Sequence, residues 1–324
     1  FNAEPGVFEV VLAVLDPKVP TFISSRETET ESPNLYLYRG AERSKLGNVP
    51  DPFPQLAKVT RRVLTYKRAD GVGLSGTLYL PENYREGERL PTLVWIYPYE
   101  FSDREQAEQL DIRAFRFHRV KGPSPLAAVV AGYAVLLNPT MPILYEEGVP
   151  SDNYIPQLVA SAEAAVDYIV ELGVTDPKRV AVGGRSYGAF SSANLMIHSD
   201  RFATAVVMSG AYNRTLTPFG FQHEHRSFWE ATELYTSISP FFYADQFKGP
   251  ILLVHGGMDE NPGTPPLQAR RLFHALMGAG GSARYVELPY EGHHYWGREN
   301  VLLATAEMLD WLNKMIGPGA ASPD

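Results

Sequence analysis

Among the 324 residues, one pentapeptide has the composition and spacing of a nucleophile site: Gly184-Arg185-Ser186-Tyr187-Gly188. It lies between an apolar β-prone run at 180–182 and a helix-like stretch at 189–198. A sharp strand-to-helix turn lifts a serine hydroxyl clear of a sheet, and flanking glycines let neighbouring backbone pass closely. The helix that begins just after the serine turns its unpaired N–H groups toward the hydroxyl, which favours negative charge there. An idle serine in a small-residue turn is the plain structural reading of such a string. The strand before it and the helix after it favour the nucleophile.

A serine is inert until a base takes its proton and a third group orients that base. On this kind of scaffold the chain order is Ser, then an acid, then His, each just past a strand end. The apolar run 251–255 leads into Gly256-Gly257-Met258-Asp259-Glu260, and the run 284–288 leads into Pro289-Tyr290-Glu291-Gly292-His293-His294. Asp259 and His293 are the expected acid and base. Each has a rival beside it, Glu260 and His294.

The remaining histidines carry less. His223-Glu224-His225 and the His293-His294 pair do not match a zincin spacing, so no metal is expected. His118, His198, His255 and His274 read as ordinary core or surface residues. The transition state also needs oxyanion donors. The backbone N–H of Tyr187, next after the nucleophile, is the first. The second should follow the strand at 93–97, where no H-G-G-G occurs. The sequence there is Trp95-Ile96-Tyr97-Pro98-Tyr99-Glu100, in which a tyrosine hydroxyl can take that role.

These groups need a scaffold, and two textures meet near residue 60. Residues 7–15, 21–25 and 35–38 are short β-prone runs that suggest a small antiparallel sheet. Beyond Asp51-Pro52-Phe53-Pro54, strands at 74–80, 93–97, 134–137, 180–182, 205–208, 251–255 and 284–288 alternate with helices. The helices are expected at 154–172, 189–198, 267–277 and 301–316, the first from the apolar spacing of Ile155, Leu158, Val159, Ala162, Val166, Ile169 and Val170. Alternation of this kind implies an α/β fold with a mostly parallel, doubly wound sheet.

Composition narrows the function classes. A formal net charge of −8 argues against nucleic acid or an anionic membrane as the main partner. The absence of cysteine removes disulfides, thiolate nucleophiles and cysteine-bound zinc. No run reaches the roughly 18 apolar residues of a membrane span. No signal peptide is visible, but since the chain opens on Phe1 rather than methionine that absence carries little weight; the cytoplasm is the favoured location, or, by the resemblance drawn below, the chloroplast stroma if the source is a plant.

The oxyanion loop and the triad motifs together resemble the prolyl oligopeptidase family of serine peptidases, which are built on the α/β-hydrolase fold. Residues 66–81 are similar to the first part of that catalytic domain, 184–194 to its nucleophile region, and 259–263 and 288–295 to its acid and base loops. Within the family, residues 209–222 resemble the glutamyl endopeptidase branch. That branch usually has Glu-Ser-His-Gly where this chain has Glu291-Gly292-His293-His294, which supports His293 as the base and adds bulk at His294. The resemblance implies that the Tyr97 hydroxyl helps to hold the oxyanion. It also implies that residues 1–55 are the C-terminal part of a β-propeller whose remainder is missing and 56–317 the hydrolase domain; by composition, 318–324 are expected to be a disordered tail.

Cleavage after glutamate, the activity the branch implies, needs a cation beside Ser186, and arginine pairs bidentately with carboxylates. Arg214 is the first candidate and Arg226 the second; as a plain reading, either is a structural ion-pair partner. Phe219, Phe221 and Trp229 are expected to wall the pocket, and Asn261, by the resemblance, to hold a substrate carbonyl. The expected partners are peptide substrates and the chain's own propeller, a homo-oligomer being compatible; no cofactor is needed. Acylaminoacyl- or dipeptidyl-peptidase activity, a carboxylesterase and a catalytically silent interaction module are the alternatives.

Overall fold

The computed structural model describes residues 4–110, 116–145 and 149–317. The chain divides into two units, Phe1–Val59 with Leu110–Lys121, and Thr60–Gln109 with Gly122–Asp324. The expected tail at 318–324 lies outside the described residues.

The first unit carries β1 (Phe8–Asp16), β2 (Thr21–Glu27), β3 (Asn34–Arg39) and β4 (Glu42–Lys45) in one antiparallel sheet, in that order. The β-prone runs mark the first three. The fourth is polar throughout and follows from a two-residue turn in which Gly40 takes φ 61°, a conformation that closes a hairpin readily only with glycine or asparagine. Glu27, buried in this unit, accepts hydrogen bonds from Arg116 Nε and Arg119 Nη2 at 2.5 and 3.0 Å.

The second unit is built on ten strands: β5 (Thr60–Lys67), β6 (Gly73–Leu80), β7 (Leu90–Ile96), β8 (Tyr99–Phe101), β9 (Ala134–Leu137), β10 (Pro142–Leu144), β11 (Thr175–Arg185), β12 (Thr204–Met208), β13 (Ile251–Gly256) and β14 (Ala283–Leu288). Eight of them form one sheet in the order β14-β13-β12-β11-β7-β9-β6-β5, and β8 and β10 pair separately. From β9 to β14 every pairing is parallel, whereas β6 runs antiparallel to both its neighbours. The unexpected β5 carries Arg61 and Arg62 among its apolar residues, which suits its place at the sheet's edge.

The helices are α1 (Arg104–Ala107), α2 (Leu126–Val130), α3 (Tyr154–Glu171), α4 (Tyr187–His198), α5 (Thr232–Ser237), α6 (Leu267–Gly278) and α7 (Arg298–Ile316). In α7, Ala304, Met308, Trp311, Leu312 and Ile316 are buried at helical spacing. Buried on nearly every side, α4 packs on β11 and β12 with α3 beside it. Its run of Gly188, Ala189, Ser191, Ser192 and Ala193 is small enough for that close approach. The strands β12 and β13 are buried along their whole length, as in parallel sheets covered on both faces. No helix among the described residues is long and apolar enough to cross a membrane.

This topology gathers the chemistry. The adjacent parallel strands β7, β11, β12, β13 and β14 end on the same side of the sheet, so the loops that follow them share one crevice. Those loops carry Tyr97, Ser186, Arg214, Asp259 and His293.

Candidate active site

Only Ser186 separates β11 from α4, and it takes φ 56° and ψ −118°, an energetically costly conformation for a residue with a Cβ. The turn is held by Ser186 N–H donating to Met208 O at 2.9 Å, and by Ser186 O accepting from Ala189 and Phe190. The flanking glycines are required by space. A Cβ on Gly184 would stand 2.5 Å from the Gly188 carbonyl carbon and 2.8 Å from Ile96 O, and one on Gly188 would collide with Ile96 O.

His293 Nε2 lies 3.0 Å from Ser186 Oγ, and its Nδ1 lies 2.9 Å from Asp259 Oδ2. An ionised carboxylate only accepts, so the proton of the neutral ring sits on Nδ1 and leaves Nε2 free for the serine hydroxyl. The acid and base loops are stitched together by Gly257 N–H to Leu288 O and Met258 N–H to Glu291 O, both 2.9 Å. Buried Glu291 fastens the base loop by accepting from Trp296 N, Gly297 N and Asn300 Nδ2.

Asp259 is buried and well supplied with donors. Its Oδ1 accepts from Asn261 N at 3.0 Å, while Oδ2 receives Thr264 Oγ1 at 3.1 Å and faces His255 Nε2 at 3.2 Å. Burial works against the charge, but the hydrogen bonds from His255 and His293 outweigh it and hold the carboxyl well below its ordinary range. Thr264 closes the cluster, its hydroxyl 2.9 Å from His293 Nδ1 and its carbonyl oxygen 2.8 Å from His255 Nε2. Sequence reasoning passed over His255 and Thr264. The one signal available was the i, i+4 spacing of His255 and Asp259 across a strand end.

The rivals point elsewhere. Glu260 makes no ion pair among the described residues, and His294 Nδ1 accepts from Arg185 Nη1 at 2.9 Å. Tyr187 opens α4, so its backbone N–H has no acceptor within the helix. Its hydroxyl donates to buried Glu100 at 2.6 Å, and Glu100 also accepts from His223 Nδ1 at 2.9 Å. Tyr97 directly follows β7, whose Ile96 is in register with Gly184 on β11, so it emerges beside the elbow. Burial raises the pKa of its phenol.

A cavity of about 490 Å³ opens at Ser186 and Tyr187, lined also by Arg214, Phe219, Phe221, Asn261 and Thr264. Asn213 caps the turn that carries Arg214, accepting from Thr215 N at 3.0 Å. Arg214 is 4% exposed, and its guanidinium carbon stands 4.2 Å from the centre of the Phe190 ring and 4.3 Å from that of Phe221. Its Nε is buried without a hydrogen-bond partner, and no carboxylate among the described residues lies within ion-pair distance. Burial lowers its pKa. Asn261 lines the cavity while its Oδ1 accepts from Gly263 N at 2.9 Å.

Arg226 and Trp229 are not brought to this cavity. Arg226 donates to Glu224 from Nε and Nη2 at 2.8 and 2.7 Å, and Nη2 also reaches Asp152 at 2.6 Å. Buried Glu224 needs a cation, and Arg226 supplies it. Both Arg226 and Trp229 line a separate groove, although the Trp229 ring lies 5.8 Å from that of rim residue Phe219.

An elbow serine, an imidazole and a buried carboxylate in one hydrogen-bonded line, on a mostly parallel mixed sheet, define a serine hydrolase with an α/β-hydrolase-like fold. The profile of the prolyl oligopeptidase family matches residues 157–319, and that of the X-Pro dipeptidyl-peptidase family matches 70–216. The chain belongs to the prolyl oligopeptidase family. It is 42% identical to a protein of Oryza sativa subsp. japonica named "Probable glutamyl endopeptidase, chloroplastic", over 98% of this chain and 35% of that protein. An Arabidopsis thaliana protein of the same name is 44% identical over 93% of this chain and 32% of its own length. The chain thus spans about a third of these relatives. Among solved structures, the Pyrococcus horikoshii acylaminoacyl peptidase superposes with a TM-score of 0.71 at 20% identity, covering 94% of this chain and 49% of that one, a likeness of fold.

Proposed function

We propose that this chain is the catalytic part of a serine endopeptidase that cleaves peptide bonds after glutamate through an acyl-enzyme. Ser186 Oγ attacks the carbonyl carbon as His293 Nε2 takes its proton, and Asp259 stabilises the resulting imidazolium. The Tyr187 N–H and the Tyr97 hydroxyl receive the oxyanion. His293 then protonates the leaving amine, and water repeats the sequence on the ester.

The observation that carries the glutamyl reading is Arg214, a buried cation in the cavity at the nucleophile with no carboxylate in ion-pair distance among the described residues, buried Glu100 acting on it from farther off. Burying an unpaired charge is costly, and a substrate carboxylate would relieve that cost. The rings of Phe190 and Phe221 hold the guanidinium in place, so little freedom remains to be lost on binding. The names of the two plant relatives agree. Asn261, at the cavity's edge, is assigned to a substrate backbone carbonyl.

Residues 1–55 are read as the end of a β-propeller. Support comes from β1, an edge strand whose Leu12, Val14 and Leu15 are 57%, 63% and 57% exposed, as expected of a strand that packs on further β-structure.

Mapping cleavage sites in a mixed peptide library by mass spectrometry, with Ser186→Ala as control, tests the assignment. Cuts after glutamate that vanish in the control are expected. Serine-dependent release of N-terminal dipeptides alone would replace the endopeptidase reading with a dipeptidyl-peptidase one.

A further inference from the structure

Two arginines adjoin the triad without a carboxylate partner among the described residues. Arg214 serves the acyl side. The other is Arg185, which precedes Ser186 at the end of β11. Its half-buried guanidinium lies 5.2 Å above the Tyr295 ring, and Nη1 donates to His294 Nδ1 at 2.9 Å. Most arginines of the molecule behave differently: Arg68, Arg226, Arg270 and Arg284 each clasp an acid at 2.6–2.8 Å. Burial lowers the pKa of Arg185, and the nearby Asp259 carboxylate offsets that cost only in part.

The position of Arg185 relative to the reaction follows from the chemistry. The imidazole that takes the serine proton hands it to the leaving amine, so the leaving segment departs past His293. On that side stand His294, its ring 5.4 Å from His293, and the 75% exposed Trp296, 6.3 Å from His294. The hydrogen bond to His294 fixes Arg185 in the same group. Histidine at 294 can accept that bond through Nδ1, which a glycine there could not.

Resting on the acyl-enzyme reading above, we propose that Arg185, braced by His294 and Tyr295, binds a carboxylate on the leaving-group side of the cleaved bond. The ligand is an acidic side chain, or a C-terminal carboxylate, within the first two residues after that bond. The protein then favours substrates that are acidic on both sides of the scissile peptide.

Acyl transfer to competing amines isolates this side. In that reaction the acceptor nitrogen bonds to the acyl carbon as the Ser186 Oγ–C bond breaks. The amine proton passes to His293 Nε2 and from there to the serine oxygen. The full-length protein is acylated from a nitrophenyl ester, so that the acyl-enzyme does not depend on glutamate, and is offered pairs of acceptors in one vessel. Ala-Asp-amide against Ala-Asn-amide reads the side chain, and Ala-Ala against Ala-Ala-amide reads the terminus.

A product ratio of about tenfold toward the carboxylate in at least one pair is expected, since charge-assisted bidentate pairs are the strong ones. That ratio should fall to about one in Arg185→Gln and recover in part in Arg185→Lys. An ester donor turned over by Ser186 with no carboxylate preference in the unmodified protein, or a preference that survives Arg185→Gln, overturns the subsite alone. Absence of any Ser186-dependent acyl-enzyme overturns the hydrolase reading and this one together.

Discussion

His255 Nε2 stands 3.2 Å from Asp259 Oδ2, the same oxygen that faces His293 Nδ1 at 2.9 Å. His255 is wholly buried at the end of β13, and the Thr264 carbonyl oxygen, 2.8 Å from the same nitrogen, fixes its tautomer. The carboxylate that orients the base is thus itself oriented by a second imidazole. Because His255 touches neither substrate nor the serine, it is a positioning residue. His255→Leu is expected to lower kcat about tenfold, the order of effect of one lost hydrogen bond to a buried charge, with KM little changed. His255→Gln, which can offer an N–H from the side-chain end, should recover part of the loss. Equal kcat in the leucine variant and the unmodified protein would remove the role.

Arg214→Met separates substrate recognition from folding. Methionine preserves an unbranched stem between Phe190 and Phe221 and removes the unpaired charge. kcat/KM for glutamyl substrates should fall by about 100-fold, the order of a lost charge-assisted pair, while small neutral esters are largely spared. The thermal midpoint should hold or rise, since a buried cation without a partner is replaced by an apolar group. An equal loss toward both substrate types would show that Arg214 serves the site's architecture.

The nucleophile itself carries backbone strain. At φ 56° the left-handed conformation disfavours any residue with a Cβ, so Ser186→Gly should be more stable than Ser186→Ala by about 1 kcal/mol. Neither variant turns over substrate. Denaturant titration of the two variants checks the difference, and equal midpoints would mean that the elbow stores no strain.

Asp259 sets a pH signature. Its carboxyl is held below its unfolded value, which is near 3.9. The stability it contributes is therefore fully present above about pH 4 and is lost as pH falls through the lower folded value. Asp259→Asn should show its largest deficit in thermal midpoint above about pH 4 and converge on the unmodified protein in stronger acid. A deficit that grows on acidification would contradict the depressed carboxyl.

How much of this was legible in the chain depended on the range of the cause. The elbow shows as a local pattern, although what makes Gly184 and Gly188 necessary is in part the carbonyl of Ile96 on the neighbouring strand. The strand ends before Asp259 and His293 show as apolar runs broken by glycine or proline, so both loops could be located from the sequence. Strands without such runs, like β4 and β5, were invisible because their pairing partners decide them.

Selection between neighbouring residues needed the tertiary structure. Asp259 rather than Glu260, and His293 rather than His294, meet in one line because Met258 N and Glu291 O tie the two loops in a single register. By sequence both Arg214 and Arg226 were candidates for the substrate carboxylate, Arg214 the first and Arg226 the second. In the structure Arg226 pairs with Glu224, two residues away, and with Asp152, whereas Arg214 lies between two rings with no carboxylate in ion-pair distance among the described residues. The pairing of His255 with Asp259 likewise arises where the chain folds back on itself at the end of β13. Residue type and spacing set out the chemistry available to this protein; which charges found partners was decided by the folded chain, which gave Arg226 one acid two residues away, Glu224, and another from a distant segment, Asp152.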